Sequence, residues 1–154
     1  MIRTFRFSLA PVLALRERVE EERLAIFAGH QAQFRAASAT LTKLRSDLRR
    51  TVRALVQTRS SRPENLRLLY AQIDFLDGSI ARYESLVATE RARCEDARSN
   101  LAEATKERKA MQILKERQLS EHLLSAQRRE RHELEESNAR RFAGVETERR
   151  AARH

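Results

Sequence analysis

Apolar residues recur every seven positions along most of this chain, in two blocks separated by a short polar stretch. In the second block one series runs Leu66, Ile73, Ile80, Val87, Cys94, Leu101 and Arg108. Its companion runs Leu69, Leu76, Tyr83, Glu90, Ala97, Ala104 and Met111. Twelve of these fourteen positions are apolar or semi-polar, against 41% for the chain as a whole, so the repeat is no accident of composition. Two apolar positions per seven residues form the seam of a coiled coil. The first block repeats Phe27, Phe34, Leu41, Leu48 and Leu55, with Ala37 and Leu44 in the second seam position and His30 and Thr51 as polar interruptions. Upstream, Val12, Val19 and Ile26 make a series one step out of phase, which implies a local adjustment of the supercoil.

The punctuation fits two helices. Ser8 suits an N-cap, and Pro11 falls in the first turn, where a missing N–H is harmless. From residue 9 to 58 Gly29 is the only glycine, and no proline follows Pro11. The stretch "TRSSRPEN" then interrupts the pattern, and Ser61-Arg62-Pro63-Glu64 reads as a capping box that starts a second helix near Arg62. So short a connection makes the helices antiparallel neighbours. About 50 residues at 1.5 Å each give the first helix roughly 75 Å. The returning helix uses up that length near Met111, where the strict heptad also stops.

The expected fold is therefore all-α: a long antiparallel two-helix coiled coil, an α-hairpin, with a C-terminal helical extension. Residues 1–8 are a lead-in, 9–58 the first helix, 59–61 the turn, 62–113 the paired second helix and 114–154 the extension, frayed at its end. The extension has sparse apolar positions (Leu119, Leu123, Leu124, Leu134, Phe142, Val145) and no partner within the chain. An unpaired helix of that kind is marginal in water and orders against something else.

Composition narrows the function classes. The 154 residues include 34% charged, 5% aromatic, 3 Gly and 2 Pro, the profile of long helices and not of a turn-rich globule. Formal charge is +9, which brings nucleic acid or an anionic surface into view. The single cysteine, Cys94, excludes an internal disulfide framework and suits a reducing compartment.

The opening "FRFSLAPVLALRERVEEE" imitates a secretion signal, with Arg3 and Arg6 before a short apolar run. It has no small-x-small cleavage site and runs straight into charge, and no stretch approaches the roughly 20 apolar residues of a membrane span. A soluble, cytoplasmic protein is expected.

No catalytic, cofactor-binding or metal-binding set is expected. A two-helix coiled coil offers no dry pocket on which groups converge. His30, His122, His132 and His154 do not make a ligand set, and in "HELEE" (132–136) Glu136 stands where a zinc protease needs its second histidine. Cys94 at a seam position reads as a small buried hydrophobe. The basic cluster Arg45, Arg49, Arg50, Arg53, Arg59, Arg62 and Arg67 lies near the hairpin tip; it is either a solvated surface or a docking patch for an acidic partner or RNA. No aromatics alternate with these arginines to stack bases, so nucleic acid is not the expected partner.

Two stretches resemble a known family. "FRFSLAPVLALRERVEEE" resembles the N-terminal signature of the flagellar export protein FliJ family, and "KERKAMQILKERQLSEHLLSAQRRERHELEE" (106–136) is similar to its C-terminal signature, with Gln112 replacing a usual glutamate. The resemblance implies a non-enzymatic, cytoplasmic component of the flagellar type III export apparatus, peripherally associated with the inner membrane. Members of that family form an antiparallel coiled coil similar to the gamma-subunit stalk of rotary ATPases. They bind the hexameric export ATPase, the cytoplasmic domain of the export-gate membrane protein and export chaperones. Carried onto this chain, the ATPase-binding candidates are Phe5, Phe7, Leu9, Val12, Leu13 and Leu15 with Leu119, Leu123, Leu124 and Leu134. The matching gate-binding positions are Leu76, Ser79 and Tyr83, where Ser79 and Tyr83 depart from an alanine and a histidine. Alternatives are the equivalent stalk of a virulence injectisome, a basic coiled-coil nucleic-acid binder, or a coiled-coil adaptor.

Overall fold

The computed structural model describes residues 3–58 and 62–153. Two helices account for nearly all of them: α1, Ala10–Gln57, and α2, Pro63–Ala152, of 48 and 90 residues. The seam and the extension lie on one continuous helix, α2. Leu9 O accepts the first intrahelical bond of α1, from Leu13 N at 2.9 Å, so the cap position is Leu9, one residue after the expected Ser8. Pro11 sits in the first turn as anticipated. Pro63 opens α2, and Arg62 O accepts from Asn65 N at 3.1 Å. The expected turn at 59–61, with Ser61 of the capping box, falls outside the described residues.

The chain forms two compact units, Arg16–Lys106 and the pairing of Met1–Leu15 with Glu107–His154. In the first unit α1 and α2 run antiparallel: Phe27 meets Arg98, Phe34 meets Arg91, and Arg45 meets Glu84 further along. All fourteen α2 seam positions are buried or half-buried. Leu76, Ala97 and Ala104 are each 5% exposed, and on α1 Ala37 and Leu41 are buried at 5% and 7%. Two helices cannot enclose a side chain on every side, and among the described residues no large side chain falls below 2% exposure. The arginines make up part of the deficit. Arg91 lies 5.6 Å over the Phe34 ring and Arg98 5.7 Å over Phe27, so each aliphatic stem and cation covers an aromatic that the seam leaves half open.

The polar seam residues are accommodated in different ways. Buried Thr51 donates its Oγ1 hydrogen to Asp47 O at 2.9 Å, a bond within its own helix. Glu90, 5% exposed, accepts from Arg93 Nη1 at 2.8 Å, while its second oxygen lies 3.8 Å from His30 Nδ1 with neither atom hydrogen-bonded. A polar pair facing across a seam is a device for fixing register, because any shift along the seam leaves the carboxylate facing apolar side chains.

The out-of-phase series is not what α1 uses. Val12 and Ile26 are 36% and 47% exposed. The buried or half-buried series is Leu13, Glu20, Phe27, Phe34, Leu41, Leu48 and Leu55, an unbroken seven-residue repeat. Glu20 disguises it by placing a charge at a seam position.

Candidate interaction surfaces

The unit built from Met1–Leu15 and Glu107–His154 shows how the extension is covered. The lead-in, Arg3 to Phe7, forms no regular secondary structure and packs on α2. Phe5 packs its ring 5.5 Å from His122 at an interplanar angle of 50°, and His122 Nε2 is 3.0 Å from Arg3 O. Phe7 and Leu13 are 8% and 7% exposed and form the core of this unit. On α2 the half-buried positions are Glu107, Arg108, Met111, Leu114, Gln118, His122, Ser125 and Ala126. Pairing thus reaches beyond the expected limit at residue 113. From Gln127 to Arg153 every residue is exposed.

The apolar residues of the extension occupy a different face. At about 100° per residue, Met111, Leu114, Gln118, His122 and Ser125 share one narrow arc. Leu119, Leu123, Leu134 and Val145 fall within about 80° of one another on roughly the opposite side, with Leu124 and Phe142 at the edge of that stripe. All six are open to solvent: Leu119 37%, Leu123 55%, Leu124 53%, Leu134 64%, Phe142 73% and Val145 50%. The other face carries Glu and Arg, with Glu136 held between His132 at 3.5 Å and Arg140 at 4.0 Å. Of the ATPase-binding candidates, Phe7 and Leu13 are packed inside the unit and Phe5 is half-buried. Leu9, Val12 and Leu15 are exposed at 36%, 36% and 54%.

In the Arg16–Lys106 unit, Leu76 and Ser79 are each 5% exposed and Tyr83 is half-buried, so the first two lie within the helix pair and do not project from it. Ser79 Oγ accepts from Arg82 Nη2 at 3.2 Å. Beside them a shallow groove is lined by Leu44, Phe75, Ser79, Arg82, Tyr83 and Leu86. Its exposed members are Phe75 at 66% and Leu86 at 41%, and Leu68 continues the surface at 70%. Leu68 and Phe75 repeat at seven residues just off the seam, a signal the heptad reading overlooks because it counts only the seam.

At the hairpin end Arg45 bonds Glu84 at 3.0 Å and Arg50 bonds Asp47. Arg49, Arg53, Arg62 and Arg67 are exposed and have no ion-pair partner among the described residues. Arg59 lies outside the described residues. Cys94 is half-buried in the seam, and among the described residues no three His, Cys, Asp or Glu side chains could hold a metal ion. No described helix is long and apolar enough to cross a membrane.

The family model of the flagellar FliJ protein matches residues 5–147. A solved structure described as a candidate YscO homolog, CT670 from Chlamydia trachomatis, is similar at 20% identity and a TM-score of 0.44, covering 88% of this chain and 93% of that one. No curated protein matches the sequence. The match over residues 5–147 runs from the lead-in through the hairpin into the exposed end of α2, and on it the chain belongs to the flagellar FliJ protein family.

Proposed function

We propose that this flagellar export component is a non-enzymatic central stalk on the cytoplasmic side of the inner membrane. It binds the hexameric export ATPase through the end of α2 and the exposed start of α1. The observation that carries this reading is the unpartnered apolar stripe Leu119, Leu123, Leu134 and Val145, with Leu124 and Phe142 at its edge. Fully burying one such side chain on a partner is worth about 1.5–3 kcal/mol, so the stripe is a strong incentive to bind. Leu9, Val12 and Leu15, at the start of α1, add to the contact; Phe5, Phe7 and Leu13 hold the lead-in in place.

A single chain seated among six identical subunits cannot contact them equally. The subunit conformations it favours are populated over the others, and that differential affinity is the coupling. Near the hairpin end, the surface that would face the export-gate protein is Phe75, Tyr83 and Leu86, and buried Leu76 and Ser79 hold its shape. Export chaperones are the remaining family-implied partners.

The test is to add the chain to the export ATPase of its own organism. Turnover is expected to rise several-fold, with hexamers forming at lower ATPase concentration. No change in either quantity at chain concentrations well above micromolar overturns the stalk reading.

A further inference from the structure

The arginines at the hairpin end do more than keep the chain soluble. Residues 45–70 hold seven arginines against two carboxylates, a net +5, while the other 128 residues share +4. Two of the seven are neutralised locally, Arg45 by Glu84 and Arg50 by Asp47. Arg49, Arg53, Arg62 and Arg67 keep their charge exposed.

Exposed aliphatics lie among them. Arg49, Val52, Arg53 and Val56 stand at i, i+3, i+4 and i+7, one stripe on the last turns of α1, with Val52 41% and Val56 61% exposed. On the first turns of α2, Arg67 adjoins Leu68 at 70%, and Tyr70 follows at 58%. Arg49 lies about 12 Å of helix rise from the end of α1, and Leu68 about 7 Å from the start of α2. Both spans are comparable with the roughly 8–10 Å over which charge acts in physiological salt.

We propose that this hairpin end is a docking surface for a lipid leaflet rich in anionic phospholipid headgroups. The guanidinium groups match headgroup phosphates, which they grip through paired N–H donors. Val52, Val56 and Leu68 enter the boundary between headgroups and acyl chains. The aliphatic members decide between lipid and nucleic acid. Both ligands satisfy the arginines, but a phosphodiester backbone gives Val52, Val56 and Leu68 nothing to bury against. Tyr70 is the only aromatic residue between 45 and 70, so there is no platform on which to stack bases. The inference does not depend on the stalk reading, since it concerns the opposite end of α2's paired segment and needs no ATPase.

The experiment is co-sedimentation of the full chain with phosphatidylcholine vesicles, with phosphatidylcholine vesicles containing phosphatidylglycerol, and a parallel retention assay with a single-stranded RNA. At about 0.15 M salt the chain is expected to bind the phosphatidylglycerol vesicles and neither of the others. Replacing Arg49, Arg53 and Arg67 together by Gln is expected to weaken vesicle binding about a hundredfold, near fivefold per charge. Val56→Ser with Leu68→Ser is expected to weaken it about tenfold while the charge is unchanged. All five side chains are exposed, and circular dichroism on the same samples confirms that helicity is kept. The proposal is overturned if anionic vesicles are bound no better than neutral ones. It is overturned equally if RNA is retained as strongly as vesicles are and the serine variant binds vesicles as the wild type does.

Discussion

Cutting the chain after Ala126 is expected to abolish stimulation of the export ATPase while leaving both compact units folded. The residues removed, 127–154, include a stretch that is exposed throughout from Gln127 to Arg153, and they take Leu134, Phe142 and Val145 out of the apolar stripe. They also remove 26 of the 138 helical residues, so ellipticity should fall by about a fifth and no more. A cut after Leu114 should behave differently. It deletes His122, the ring partner of Phe5 and the contact of Arg3 O, and so strips the cover from the lead-in. That shorter chain is expected to lose more helix than its length explains and to melt earlier. Affinity for the ATPase, read by titration, and melting, read by circular dichroism, separate the two cuts. If the cut after Ala126 binds the ATPase as well as the full chain, the end of α2 is not the ATPase contact.

The second large effect divides two neighbouring residues, one in the seam and one just beside it. Leu76→Ala is expected to destabilise the hairpin by about 2–4 kcal/mol, since it opens a cavity at a seam position that is 5% exposed. Phe75→Ser removes a ring that is 66% exposed and should change stability by less than about 1 kcal/mol. It should nevertheless weaken binding to the cytoplasmic domain of the export-gate protein by about tenfold or more, as loss of an aromatic anchor does. Urea unfolding of both variants, with a binding titration on Phe75→Ser, checks the pair. A Leu76→Ala chain as stable as wild type would show that Leu76 is no part of the helix-pair core.

Why one of these residues is legible in the sequence and the other is not follows from what the heptad records. Leu76 belongs to a series that repeats through Leu69, Tyr83 and Ala97, and any coiled-coil reading finds it. Phe75 lies one position outside, where periodicity carries no information about solvent or partner. Glu20 shows the same limit from the other side. It occupies a seam position of α1 between Leu13 and Phe27, and because it is charged the apolar count slips to Val12, Val19 and Ile26, two of which are exposed. A polar residue in a thin seam can reach water along its own stem, so the helix tolerates what the pattern rejects.

The antiparallel hairpin itself is fully legible, from the repeat and the break at "TRSSRPEN". The cover on Leu114 to Ala126 is not. It comes from a lead-in with no periodicity, which no coiled-coil pattern marks as part of the packing. The stripe from Leu119 to Val145 lies half in view. Its members are plain in the sequence, but that they lie opposite the lead-in's face depends on where the lead-in packs.

The central claim is that this stripe is the face the export ATPase binds. Substituting Leu123, Leu134 and Val145 together by Ser tests it most directly, because all three are at least half exposed and their loss costs the fold little. Titrated against the ATPase, the triple variant is expected to bind at least about a hundredfold more weakly than wild type at unchanged helicity. Binding within about twofold of wild type would contradict the claim and move the contact elsewhere on the chain.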